Sequence, residues 1–194
     1  MNAEPILKYI RKYVDLSSQE EILLQSKLIH RKYLKNQFIV QQGDICKVES
    51  FVISGCVRTF YADNNGIEHV VMFAIENWWT GDLGSYISQT PANYNVQCLE
   101  NTEVIQFSYD NLEFLYKEIP RLERFFRIII QKAFVASEGR IVRNFSFTAK
   151  EKYLQFRKMY PEIEQRVPQY MIASYLGITK EFLSKIRSQL VFEQ

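Results

Sequence analysis

Six short apolar segments crowd the stretch between positions 36 and 110: Phe38–Gln42, Ser50–Ile53, Val57–Tyr61, Glu68–Ala74, Tyr94–Leu99 and Val104–Ser108. They are rich in Val, Ile, Phe and Tyr and are separated by turn residues. Strand-length runs at this spacing indicate an all-β sandwich or barrel. Asp63-Asn64-Asn65-Gly66 lies between the third and fourth runs, and Asn and Gly tolerate the positive φ that a tight hairpin turn requires. Gly43, Gly55 and Gly81 fall at further expected turns.

Helical patterns flank this stretch. Ile6, Leu7, Ile10 and Val14 recur at helical spacing, so residues 1–35 read as short helices. Ser17 with Glu20 forms a capping-box signal, Leu16 stands before it as a staple, and Ile22, Leu23 and Leu28 continue the apolar face. From Asp110 the pattern is helical again, and Arg121 to about Asn144 predicts one long helix. Leu122, Phe126, Ile129, Ala133 and Ala136 follow at spacings of four and three, a heptad-like stripe. Phe125, Ile128 and Val135 form a second stripe beside it. One stripe suffices to dock the helix on the β-domain. The second implies another partner, such as the same helix of a second subunit, with Leu122, Phe126, Ile129, Ala133 and Ala136 as the expected dimer interface. The alternative is a helix buried all round in one core. Gly139 weakens the helix locally. Asn144-Phe145-Ser146-Phe147 reads as a hinge. Thr148 with Glu151 is a second capping box, opening a helix near Ala149 that Pro161 ends.

Charge is distributed unevenly. The net value of +2 hides 10 basic and 15 acidic residues in 1–120 against 14 basic and 7 acidic in 121–194. Such asymmetry points one end of the chain toward an anion such as nucleic acid or membrane, against ordinary charge scatter. With 47% apolar residues, 7 Gly and 5 Pro, the chain can build a core. Its longest apolar run, Val70–Ile75, is far too short for a membrane span. Glu4 and Lys8 interrupt the N-terminus, which therefore does not read as a secretory signal, and a cytoplasmic location is expected. Cys46, Cys56 and Cys98 lack the spacing of a zinc site or disulfide framework and read as buried small hydrophobes. His30 and His69 read as core or surface histidines, so no metal is expected.

The most informative segment runs from Gln169 to Ser188, QYMIASYLGITKEFLSKIRS. It reads as two short helices joined at Gly177, with Ile172, Leu176, Ile178, Leu183 and Ile186 at the buried positions and Ala173 at the close crossing. Thr179 is a good N-cap for the second helix. This is the helix-turn-helix pattern. On a helical wheel Leu183, Ile186 and Leu190 share one face. Glu181, Ser184 and Ser188 point the opposite way, flanked by Lys180 and Lys185. Lys donates to guanine, Glu accepts from cytosine, and Ser does either. Lys180, Lys185 and Arg187 also suit phosphates. The expected DNA-binding residues are therefore Thr179, Lys180, Glu181, Ser184, Lys185, Arg187 and Ser188. An ordinary helical hairpin with a solvated face is the plainer alternative.

On these features, from about residue 20 to 190, the chain resembles the cyclic-AMP receptor protein / fumarate-nitrate regulator (CRP/FNR) family of bacterial transcription regulators. The ordered set Gly43-Asp44, Gly55, Gly66 and Gly81-Asp82-Leu83, followed by the helix-turn-helix, carries the resemblance. It implies an α+β chain in three parts. Residues 1–120 would form a cyclic-nucleotide-binding-like sensor, a β-roll or double-stranded β-helix with flanking helices. Residues 121–147 would form a dimerisation helix and hinge, and 148–194 a helix-turn-helix domain. The family's phosphate-binding cassette maps a ligand pocket onto Gly81, Asp82, Leu83, Ala92 and Asn93. Its glutamate corresponds to Asp82, one methylene shorter, and its Arg-Ser pair to Ala92-Asn93. A buried cyclic phosphate needs a paired cation, which Ala92 cannot supply. Usual cyclic-AMP binding is therefore not expected, no cofactor is implied, and the effector stays unnamed. No cysteine precedes Cys46 to build the family's iron–sulfur cluster, and His69 reads as a surface residue rather than a haem ligand. Trp78 and Trp79 either line the pocket or pack on the roll. The family's wing is expected to be absent or vestigial after Leu190, leaving Lys150, Lys152, Arg157 or Lys158 for further DNA contact.

The resemblance thus implies a non-enzymatic, homodimeric regulator of double-stranded DNA, working with RNA polymerase if it activates. The alternatives are a ligand-binding signalling module whose C-terminal helices bind protein, and a cupin-like enzyme, which two histidines without an H-x-H make hard to build.

Overall fold

The computed structural model describes residues 2–192. Two helices, α1 (Glu4–Ile10) and α2 (Ser18–Lys27), lead into the strands β1 (Ile29–Tyr33), β2 (Phe38–Val40), β3 (Val48–Ser54), β4 (Val57–Ala62), β5 (Glu68–Ala74), β6 (Trp79–Thr80), β7 (Asn95–Cys98) and β8 (Thr102–Ser108). A short helix, α3 (Leu83–Ser88), separates β6 from β7. Helices α4 (Tyr109–Glu118), α5 (Arg121–Ser146), α6 (Ala149–Met159), α7 (Ile163–Arg166), α8 (Gln169–Leu176) and α9 (Lys180–Phe192) follow.

The strands form two four-stranded sheets, ordered β1-β8-β3-β6 and β2-β7-β4-β5. Every pairing is antiparallel, as short strands joined by tight turns require. Gly55, between β3 and β4, has φ +106°, and a Cβ there would stand 2.8 Å from the Thr102 Cα, so only glycine fits. In the β4–β5 hairpin, Asp63 Oδ1 accepts from the Asn65 and Ile67 amides at 2.8 and 3.0 Å, and Gly66 takes φ +78°.

One expectation needs correction here. Residues 29–33 are a strand, not part of a helical N-terminal stretch. Ile-His-Arg-Lys-Tyr carries no alternating pattern of its own, and pairing along β8 determines its state.

The chain buries two apolar clusters. The first fills the roll and extends onto α1, α2, α4 and the start of α5. Its centre is aromatic: Trp79 lies 5.4 Å from Phe51, 5.5 Å from Phe107 and 5.3 Å from Phe126 between ring centroids. Trp79 is therefore a packing residue.

The second cluster joins the C-terminal helices to the roll. Cys56, Phe60, Val70, Phe73 and Leu99 pack with residues of α6, α7, α8 and α9. Phe73, Phe156, Tyr160 and Tyr175 meet at centroid distances of 5.1–6.1 Å, and Trp78 reaches Tyr160 at 5.2 Å. The packing crosses the boundary expected at residue 148. Hydrogen bonds reinforce it. The Val70 amide donates to Ser174 Oγ, which donates to the Glu68 carbonyl, both at 2.9 Å. Arg166 pairs with Glu76 at 2.9 Å and with Glu100.

Helix α5 corrects two further expectations. It runs unbroken to Ser146, so the bend contracts to extended Phe147 and the N-cap Thr148. Its expected dimer stripe is divided between the core and solvent. Leu122 and Phe126 are buried in the chain's own first cluster and Ile129 packs against it, while Ala133 and Ala136 continue the helix beyond the roll, exposed. Spacings of three and four mark a continuous face but do not say which neighbour covers it. The outward apolar residues are Ile130 (41% exposed), Phe134 (63%), Val135 (65%), Ile141 (54%), Val142 (63%) and Phe145 (89%).

Candidate nucleic-acid interface and ligand pocket

The α8–α9 pair is built from local rules. Helix α8 ends at Gly177 in the left-handed region, φ +69°, with the Ile178 amide donating to the Ala173 carbonyl at 3.1 Å. Ala173 is buried where the helices cross, beside Ile172, Leu176, Leu183 and Ile186. Thr179 Oγ1 accepts from the Phe182 amide at 3.2 Å, capping α9.

Because Leu183 and Ile186 are buried and Leu190 partly so, the opposite face of α9 is turned to solvent. Lys180, Glu181, Ser184, Lys185 and Ser188 are all exposed there, and Thr179 is exposed at the helix entry. Ser188 Oγ donates back to the Ser184 carbonyl at 3.1 Å, which keeps the middle of this face short. Arg187 differs from its expected companions. It is half-buried and turned toward Glu164 at 3.8 Å, a carboxylate that also meets Arg157 at 3.3 Å and Tyr153. Phe182 and Gln189, exposed on the flank of the same helix, were not among the expected residues. An apolar Phe gives no sign in the sequence that it faces solvent. Among the other cations considered for DNA, Lys152 donates to the Asn144 carbonyl at 3.0 Å, toward the bend. A wing would follow α9 and lies outside the described residues.

The expected ligand pocket has a different character. Asp82 is buried, and its carboxylate accepts from three backbone amides: Ser85 at 3.0 Å, Asn93 at 2.7 Å and Tyr94 at 3.1 Å. It therefore caps α3 and ties that helix to the following loop. Ala92 is buried too, its amide bonded to the Asp44 carbonyl at 2.8 Å and its carbonyl to the Gly43 amide at 2.9 Å. Asn93 and Leu83 are exposed. Gly81 lies against Glu49, where a Cβ would stand 2.6 Å from Oε1. Burial, and then the Asp82 charge, push the Glu49 carboxyl up to about 8. Glu49 Oε1 and the Tyr86 hydroxyl are both buried without a hydrogen-bond partner.

The buried arginine of the roll is Arg58, and its guanidinium is already engaged. It donates to Glu68 at 2.5 Å and to Gln97 at 2.7 Å, and lies 4.0 Å over the Phe60 ring. His69 pairs with Asp63 at 3.1 Å on the exposed hairpin. Cys46, Cys56 and Cys98 are buried thiols. No helix of the described residues is long and apolar enough to cross a membrane.

A double-sheet roll with helix α3 is continued through a long helix into a helix-turn-helix. The cyclic nucleotide-binding domain family matches residues 30–118. The transcriptional activator protein Anr of Pseudomonas aeruginosa is 28% identical over 110 residues, 57% of this chain and 43% of that protein. The aligned region is thus less than half the relative's length. The c-di-GMP responsive global regulator CLP of Xanthomonas campestris superposes with a TM-score of 0.73 at 15% identity, covering 91% of this chain and 93% of that one. FixK2 of Bradyrhizobium japonicum gives 0.72 at 18% identity, covering 86% and 85%. Over residues 30–118 the chain is thus similar to cyclic nucleotide-binding domains, and its fold is similar to that of these regulators.

Proposed function

We propose that the chain is a DNA-binding transcription regulator that reads duplex DNA as a homodimer through α9. The exposed face of Glu181, Ser184, Lys185 and Ser188, opposite buried Leu183 and Ile186, is the observation that carries this reading. It offers donors and acceptors to base edges on a helix narrow enough for the major groove. Thr179 and Lys180 stand at the groove-entering end, and Arg187 steadies α9 through Glu164 rather than gripping phosphate.

The second copy belongs on the outward face of α5, at Ile130, Phe134, Ile141 and Phe145. Two copies related by a two-fold axis would present their reading helices to half-sites about 34 Å apart. The function places the protein in the cytoplasm with DNA, and with RNA polymerase if it activates.

In the roll, we place no cyclic AMP in the usual pose. Ala92 offers no cation, Asp82 already accepts three amides, and the neighbouring acid Glu49 would repel a phosphate when ionised.

The test compares variants on a duplex selected by the wild type. Glu181→Ala and Lys185→Ala should each relax preference at a base pair by about 1–3 kcal/mol. Arg187→Ala should lower stability more than selectivity. Unchanged selectivity in both of the first two variants would contradict the reading.

A further inference from the structure

Among its described side chains, α9 exposes one large apolar group. Phe182 is 48% exposed and belongs to neither apolar cluster of the described residues. Its exposed neighbours along the helix are all polar: Lys180, Glu181, Ser184, Lys185, Ser188 and Gln189. Removing a phenyl ring from water is favourable, and here much of that gain is left unrealised.

Local rules fix where the ring stands. Phe182 is the third residue of α9, and its amide donates to Thr179 Oγ1 at 3.2 Å, so the cap holds it on the first turn. Lys185 and Gln189 follow at spacings of three and four along the same flank. Glu181 stands to one side of Phe182, on the outward face, while Leu183 and Ile186 on the other side enter the core.

With its side chains a helix is about 10–12 Å across, and the major groove is about 12 Å wide. The flanks of an inserted helix therefore meet base edges as well as its outward face does, and the N-terminal residues of a reading helix supply such contacts. Phe182 has no side-chain donor or acceptor, so it offers no hydrogen bond to a phosphate or to a polar base edge. In the major groove thymine presents an apolar group, its 5-methyl, which a phenyl ring matches.

We propose that Phe182 is a specificity-determining residue whose ring packs on the 5-methyl group of one thymine in each half-site. Resting on the reading of duplex DNA by α9, this contact adds a base requirement that the polar side chains of the helix do not supply.

The test takes a duplex selected by the wild-type chain from random sequence and replaces its thymines in turn by deoxyuridine, which removes only the methyl group. At one position of each half-site, wild-type affinity should fall by about fourfold, as loss of one buried methyl group implies. Phe182→Ala should bind the thymine duplex at least that much more weakly and be indifferent to the same replacement. Tyr170→Ala, which removes an exposed ring from α8, should respond as the wild type does. Circular dichroism confirms that each variant is folded. A selected duplex in which no thymine methyl matters, a methyl effect that persists in Phe182→Ala, or its loss in Tyr170→Ala as well would each overturn the proposal and leave the reading of duplex DNA standing. Selection of no duplex would overturn the regulator reading, and this contact with it.

Discussion

The Asp82 carboxylate shows how one side chain can look like a ligand group and act as a fastener. Its place in Gly81-Asp82-Leu83 suggests an acid aimed at a ligand, yet the shorter side chain accepts from Ser85, Asn93 and Tyr94. Asp82→Ala would leave three amides without their acceptor. It is expected to cost about 2–4 kcal/mol and lower Tm by about 5–12 °C, measured by thermal unfolding. Glu49 gives a pH signature. Its folded-state value of about 8 lies above its unfolded one, so the folded chain holds the proton more tightly. Stability from this group is fully present below about pH 4.5 and is lost as pH rises toward and through 8. By pH 7 the loss is on the order of 3 kcal/mol. Glu49→Gln removes the titration. Its unfolding midpoint should exceed that of the wild type at pH 8, with the gap closing by pH 5. An equal gap at both values would refute the assignment. The sequence allows Ala92 to be seen as the missing cation. It does not reveal Glu49, against which Gly81 lies from the bend after β6, far along the chain.

At the level of elements, what could be read from the sequence depended on whether the signal was local. The boxes Ser17/Glu20 and Thr148/Glu151 form as their spacing predicts, because each closes within four residues. The Gly177 turn and the Thr179 cap do likewise. Strand β1 and the covered face of α5 were not legible, because each depends on a partner far along the chain. The α5 stripe makes the point. Leu122 and Phe126 obey a heptad-like spacing and serve the intramolecular core, while Phe134 and Phe145, off that stripe, remain uncovered. Phe134→Glu should therefore convert the proposed dimer to monomer in sedimentation velocity with an unchanged melting temperature of the monomer fold. Leu122→Ala should instead destabilise the fold by about 2–5 kcal/mol. A Phe134→Glu protein that stays dimeric would remove α5 from the interface.

Across the whole molecule, the roll and the C-terminal helices share one apolar cluster rather than meeting through a linker. Arg166 to Glu76, Ser174 to β5 and Tyr160 to Phe73 tie them together, with the Tyr160 hydroxyl donating to the Phe73 carbonyl at 3.2 Å. Glu76 also accepts from the Gly55 amide at 2.9 Å, which connects a turn of the roll to the helix preceding α8. The sequence divides the chain into parts by pattern and charge. It cannot show this contact, because Phe73 and Tyr160 carry no mark of facing each other. Arg166→Ala leaves Glu76 and Glu100 without their cation. It should increase hydrogen exchange in α8 and α9 more than in β3 and β8, and uniform exchange across the chain would argue against a specific tie.

The charge asymmetry that first pointed to an anion becomes specific at this scale, as acidic sheets beside a basic helical end whose proposed reading face is exposed. Selection from random-sequence duplex DNA tests that account most directly. It predicts recovery of a site with dyad symmetry, its half-sites separated by about one helical turn, bound with an affinity that falls steeply as salt rises. Recovery of no preferred sequence, or of a site without dyad symmetry, would contradict it.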